Sequence, residues 1–174
     1  GNTWTAKDSS RSWFSVSVSA SGQYQTAVVI FGQIYVSSDY GNTWTAKDSS
    51  RTWFSVSVSA SGQYQTAVVG SGQIYVSTDY GASLTSHAQT PISTAGSGSS
   101  ANLNWRMIST STTGKYVLAL TDTKVFLSND GDDNFSNSSS WVEITTPATS
   151  SGSLTISNVN SMLMTDDGNY TFLT

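Results

Sequence analysis

Polar and apolar residues alternate along residues 13–20: Phe14, Val16, Val18 and Ala20 fall on one face, Ser15, Ser17 and Ser19 on the other. A period of two is the mark of a β-strand with two different faces. A turn at Ser21 and Gly22 leads to a second strand over 23–29, with Tyr24, Thr26 and Val28 opposite Gln25, Ala27 and Val29. Gly32 marks another turn, and a third strand over 33–37 carries Ile34, Tyr35 and Val36. A tight corner follows, then a short fourth strand over 43–46, and residues 47–51 lead onward. No helical period interrupts this pattern. It predicts an all-β chain of short antiparallel strands.

The pattern then repeats. Residues 1–40 and 41–80 align without a gap and differ only at Ser12/Thr52, Ile30/Gly70, Phe31/Ser71 and Ser38/Thr78. A period of 40 residues holding four strands matches one blade of a β-propeller. A lone sheet with apolar residues on both faces must stack on neighbours, as repeat units do. The serine row then suits an innermost strand near the propeller axis, where only small side chains fit. Residues 81–104 depart from the pattern. They are rich in Ser, Thr, Gly and Ala and read as a polar loop, assigned as an insertion over 85–104. The repeat resumes at Trp105, with Gly114, Lys115 and Tyr116, and later Gly168, Asn169 and Tyr170, standing where Gly22, Gln23 and Tyr24 stood. The division is therefore the end of a preceding blade (1–12), a blade (13–52), a blade with its insertion (53–104), a diverged blade (105–146) and a partial blade (147–174). The expected architecture is a partial ring, or a ring completed by another copy. Because residues 1–5 repeat 41–45, the chain starts inside a copy and reads as a fragment, a processed product or part of something longer.

The corner carries the most specific motif. Ser37, Asp39, Gly41, Thr43 and Trp44 recur as Ser77, Asp79 and Gly81, and in weakened form as Ser128, Asp130 and Phe135. An aspartate bonding amides two residues on, a glycine at positive φ and a tryptophan anchoring the outgoing strand describe a hairpin corner. The motif resembles the Asp-box, or BNR repeat, of propellers such as sialidases, sortilin and the photosystem II assembly factors. That resemblance implies the propeller fold and a structural role for the boxes on the outer rim. Activity does not follow from it, since propellers host unrelated functions.

Composition narrows the functions. Only 10% of residues are charged, the net charge is −4 and the isoelectric point is about 4.5. Seven scattered Lys and Arg argue against a nucleic-acid partner. No apolar run reaches the length of a membrane helix, and the chain has no cysteine. No metal ligand set or cofactor is expected. A sialidase-like site would need an arginine cluster, a tyrosine with a glutamate and an acidic donor. Here Arg11 and Arg51 are the same repeat position, read as a blade-to-blade contact, and Glu143 is the sole glutamate. His87 reads as a loop residue, and Asp166 and Asp167 as a turn. Near-identical blades suit repeated contacts better than catalysis. The expected function is a non-enzymatic extracellular module that binds a glycan or a cell-surface protein, or assembles with itself. The alternatives are a fragment of a glycoside hydrolase whose catalytic residues lie elsewhere and an assembly-factor propeller acting through a basic patch, which this acidic chain does not offer. Tyr40 and Tyr80 at the corner tips, and Phe31 in a turn, are the candidate binding residues. Asn134, Asn137 and Asn169 stand in glycosylation sequons, which fit a secreted setting.

Overall fold

The computed structural model describes residues 3–87, 103–129, 141–144, 148–149, 152–153 and 159–173. Its strands are β1 (Trp13–Val18), β2 (Gln25–Ser37), β3 (Thr45–Val58), β4 (Gln65–Gly72), β5 (Ile74–Ser77), β6 (Thr85–His87), β7 (Leu103–Thr110), β8 (Val117–Thr121), β9 (Val125–Ser128), β10 (Trp141–Ile144), β11 (Ala148–Thr149), β12 (Gly152–Ser153), β13 (Ser161–Met164) and β14 (Tyr170–Leu173). The chain is all-β, and every strand pairing is antiparallel. The second blade shows the four-strand unit most plainly. The C-terminal half of β3 pairs with β4, β4 with β5, and β5 with β6. The polar insertion thus begins later than its composition suggests, since Thr85–His87 already pair with Ile74, Tyr75 and Val76 as a fourth strand.

Strand β3 serves two blades. Its first residues pair with β2 as the outer strand of the first blade, and its last form the inner strand of the second. The linker over 47–51 is therefore strand rather than loop, bent at Asp48, which takes φ 54°. Asp48 accepts from the Ser49 amide at 2.6 Å and from Arg51 Nε at 3.1 Å, while the Arg51 guanidinium lies over Tyr75, 4.8 Å from its ring centre. Arg11 makes the same pair of contacts with Asp8 and Tyr35. Each arginine pins a connector to the blade it enters, instead of joining two blades as the repetition suggested.

The cores lie between blades. Val28 and Ile34 of the first blade pack against Trp53, Val56 and Tyr75 of the second. Val68, Ile74 and Val76 of the second meet Trp105, Ile108 and Phe126 of the third. Leu118, Leu120 and Val125 of the third meet Val159 and Met164 ahead of and within the last hairpin. Stacking buries what a single sheet would leave wet, at roughly 25 cal/mol for each Å² of apolar surface removed from water.

The serine row has a second role beyond its small size. Ser15 and Ser17 hydroxyls accept from the amides of Val56 and Val58 at 3.4 and 3.0 Å, and Ser55 and Ser57 accept from Ile108 and Thr110 at 3.2 and 2.9 Å. Each inner strand thus satisfies the edge amides of the next, which a sheet edge otherwise leaves unpaired. The tyrosines after the first turn lock the same seam. A Cβ on Gly62 would lie 2.4 Å from the Tyr24 ring, and one on Gly114 would lie 2.3 Å from that of Tyr64.

The last hairpin corrects the alignment. The Thr165 amide donates to Asn169 O where Ser19 donates to Tyr24 O, so its turn is one residue shorter. Met164 consequently pairs with Tyr170, where Val18 pairs with Gln25. A one-residue change flips every following side chain. Tyr170 and Phe172 face the third blade, and Leu173 takes the place of Val28.

Candidate functional site

The two described corners show how the aspartates are held. Ser37 Oγ accepts from the Gly41 amide at 2.9 Å and donates to Asp39 Oδ1. Asp39 accepts from the Thr43 amide and hydroxyl at 2.8 and 2.6 Å. It therefore reaches four residues ahead, not two, and the serine takes the nearer amides. Asp79 does the same with Ser83, a corner residue that its departure from Thr43 hid in the sequence. The Thr43 hydroxyl and amide hold Asp39 down to a pKa of about 2. Burial opposes the shift at Asp79, but the bonds from Ser83 and Ser77 outweigh it and its pKa is also lowered. Trp44 sends its Nε1 hydrogen to Gly41 O at 3.2 Å, and Leu84 stands in its place in the second corner. Ser128 is buried, whereas Asp130, Phe135, Asn134 and Asn137 lie outside the described residues.

Tyr40 and Tyr80 occupy the left-handed region at φ 62° and 61°, beside glycines that share it. Both are exposed, yet Tyr80 lies on Tyr24 of the neighbouring blade with ring centres 4.7 Å apart. Phe31, also left-handed and exposed, sits at the opposite end of its blade, beyond Val29 and next to the start of β1. The three candidates do not share a surface. Asn169 is exposed, and its amide group donates to Asp167 Oδ2 at 2.6 Å.

The structure places its cleft elsewhere, at the ends of the inner strands. Pairing shifts register between Trp13 and Ser15, between Trp53 and Ser55, and between Trp105 and Met107. Each blade thus carries a β-bulge at one repeat position, occupied by Phe14, Phe54 and Arg106. A bulge re-aims the side chain of its extra residue. These three side chains converge on two adjoining cavities of about 580 and 340 Å³. The smaller is lined by all four inner segments, including Asn160 and Met162, so it lies on the axis around which the blades stack. Phe14 and Phe54 meet edge-to-face at 5.5 Å. Gly70 is needed beneath Phe54, because a Cβ there would fall 2.1 Å from its ring. That explains one of the four differences between the first two blades.

The polar wall comes from the third blade. Arg106 Nε lies 3.6 Å from Asp122 Oδ1, the Asn104 amide donates to Asp122 Oδ2 at 3.4 Å, and Ser71 Oγ donates to Asn104. Among the described residues lining these cavities, Asp122 is the sole carboxylate. Aromatic edges beside a half-exposed guanidinium suit carbonyl, carboxylate or planar groups. The sequence signal was two large residues in succession, Trp13 then Phe14, which breaks strict alternation.

No protein-family profile matches the sequence, and no curated protein matches it. The fold itself is well represented among solved structures. YCF48 bound to D1 peptide is 13% identical with a TM-score of 0.61, over 97% of this chain and 48% of that one. The beta-propeller domain of Myceliophteria thermophila Cps50 (Swd1) is 11% identical with a TM-score of 0.58, over 84% of this chain and 42% of that one. An ancestral GH74 enzyme is 17% identical with a TM-score of 0.52, over 68% of this chain and 17% of that one. The architecture is that of a β-propeller segment. The chain spans less than half the length of each of these structures.

Proposed function

We propose that this chain is part of an Asp-box propeller that serves as a non-enzymatic, extracellular binding module, and that its axial cleft grips an extended segment of a partner protein. The observation that carries this reading is the bulge repeated in three blades, which turns Phe14, Phe54 and Arg106 into one cleft where the near-identical repeats stop being identical. The aspartates of the first two corners are held by their own backbone, which supports a structural part for them. Peptide as ligand is supported by the likeness to YCF48, solved with a D1 peptide bound. The low charge and the sequons support the extracellular setting, in which a glycan is the competing ligand.

The test is a peptide array and a glycan array probed with the purified chain and with Phe54→Ala and Arg106→Ala. The expected result is peptide binding that falls at least tenfold, or about 1.4 kcal/mol, in each variant. Glycan binding with no peptide binding would replace the ligand. Release of sugar from a polysaccharide panel, lost on Asp122→Asn, would overturn the reading in favour of a hydrolase.

A further inference from the structure

The four differences between the first two copies of the repeat are not scattered. Four residues of the 41–80 copy line the cavity of about 580 Å³, namely Thr52, Phe54, Gly70 and Ser71. Three of these are positions at which that copy departs from the first, and the fourth difference, Thr78, lies in a corner. Two copies that agree almost letter for letter thus part company at the cleft they share. The turns over 30–32 and 70–72 show what the changes do.

Both turns are bulges of one build. Ile30 pairs with Thr52 and Gly32 with Arg51, which leaves Phe31 as the extra residue. Gly70 pairs with Asn104 and Gly72 with Leu103, which leaves Ser71. Both extra residues are left-handed, at φ 57° and 54°, and both are exposed, although the second blade has a neighbour on either side. The outward position therefore belongs to the turn and is open inside the stack too. In the second blade it holds a serine that donates to Asn104, and the glycine before it leaves room for the Phe54 ring. In the first blade Ile30 fills that room, so Phe14 cannot lie back as Phe54 does and meets Phe54 edge-to-face instead. Phe31 then stands 76% exposed beside Thr52, on the rim of the cleft.

We infer that Phe31 is a further binding residue of the cleft, one that selects an apolar side chain, aliphatic or aromatic, on the extended segment held there. The inference rests on the reading of the cleft as a peptide groove. The two sides of the groove then differ in chemistry. Phe14 and Phe31 of the first blade make an apolar side, and Asn104, Arg106 and Asp122 of the third make a polar one. A segment crossing from blade to blade is read in one direction, since reversal would set its apolar side chain against the Arg106–Asp122 pair. A large apolar side chain left in water on a left-handed residue is costly to the chain alone. Burial beneath a side chain of the bound segment offsets that cost, and it makes the position an anchor of the kind that dominates binding.

The probe is an array of short, acetylated and amidated peptides in which each position is varied in turn, read with the 174-residue chain and its variants. The parent chain should prefer Leu, Ile, Met, Phe, Tyr or Trp at one peptide position. Ile30→Gly with Phe31→Ser writes residues 70–71 into the first blade, a turn the second blade already forms, so near-UV circular dichroism should be unchanged. That variant should bind about tenfold more weakly and lose the preference. Phe31→Ser alone takes its place if the double variant fails to fold. Phe31→Leu should keep the preference, and Phe31→Lys should exchange it for Asp or Glu at the same peptide position. If Phe54→Ala and Arg106→Ala weaken binding while the preference survives Phe31→Ser, the cleft reading stands and this inference is overturned. Weaker binding with the preference unchanged also overturns it, because a merely structural role would act that way. If the parent chain binds no peptide, the cleft reading and this inference fall together.

Discussion

Ser57→Ala separates two explanations of the serine row. If serine is there because the axis is crowded, alanine fits as well and stability is unchanged or improved. If the hydroxyl is there for the Thr110 amide, which it accepts at 2.9 Å, alanine removes a hydrogen bond and leaves an N–H at a part-buried seam. A net hydrogen bond contributes about 0.5–1.5 kcal/mol, and a donor left without a partner costs about 1–3 kcal/mol when fully buried. Part exposure lets water recover some of this, so the expected loss is about 1.5 kcal/mol. For a chain of this length that lowers Tm by roughly 3–6 °C. Bond length supplies an internal control: Ser15, whose hydroxyl is 3.4 Å from the Val56 amide, should cost about 0.5 kcal/mol or less when changed to alanine. Urea unfolding followed by tryptophan fluorescence reads both variants, with unchanged m-values licensing the comparison. A neutral Ser57→Ala, or equal effects at Ser57 and Ser15, would refute the hydroxyl-to-amide account.

Three further outcomes are expected. Trp53→Ala should cost about 3–5 kcal/mol, since Trp53 is fully buried between two blades, while Trp13→Ala in the single chain should cost under about half of that; equal losses in thermal unfolding would mean the first blade is covered after all. Gly62→Ala should lose about 2–4 kcal/mol, because φ is +83° and the new methyl would meet the Tyr24 ring, and a change under about 1 kcal/mol would refute the packing described for that seam. The corner aspartate sets an acid limit. Asp39 has a folded pKa of about 2, below the ordinary value near 3.8, so its contribution is present above about pH 4 and is lost as pH falls from about 4 toward 2. Tm measured across that window should fall less steeply in Asp39→Asn than in the parent chain, and parallel curves would show that the Thr43 bonds do not act in solution.

The strand plan was legible because alternation and the 40-residue period are written in nearly identical letters, and inter-blade burial follows from sheets apolar on both faces. The register of the last hairpin was not legible. Gly168 invited alignment with Gly22, and a turn shorter by one residue reverses the faces after it without altering the motif. The cleft was hidden for a related reason. Phe14 reads as one more member of the Val16 face, and only the pairing shift at Trp13 shows that it is the bulged residue. Exposed tyrosines drew attention to the corners because exposure is guessable from a turn, whereas convergence of Phe14, Phe54 and Arg106 depends on how blades stack. The role of the serines was half visible: their size could be read from the row, their hydrogen bonds only from the strand in front of them.

The shared lettering of the first two blades also bears on how the chain folds. Trp53 to Val58 pair with the strand from Gln65 to Val69 in the same register that Trp13 to Val18 use on Gln25 to Val29, and the paired residues are identical. The inner strand of the second blade therefore meets two chemically equal partners as it leaves disorder. One lies across the turn at 59–64, the other across a loop, 30–52, about four times longer. Loop closure favours the nearer by about 1.2 kcal/mol, roughly a factor of eight. We expect about one molecule in nine to zip onto the wrong strand first and to refold in a slower phase that requires unzipping. Stopped-flow refolding should lose that phase when Gln25, Ala27 and Val29 are changed to other strand-forming residues, and a phase that persists would have another origin.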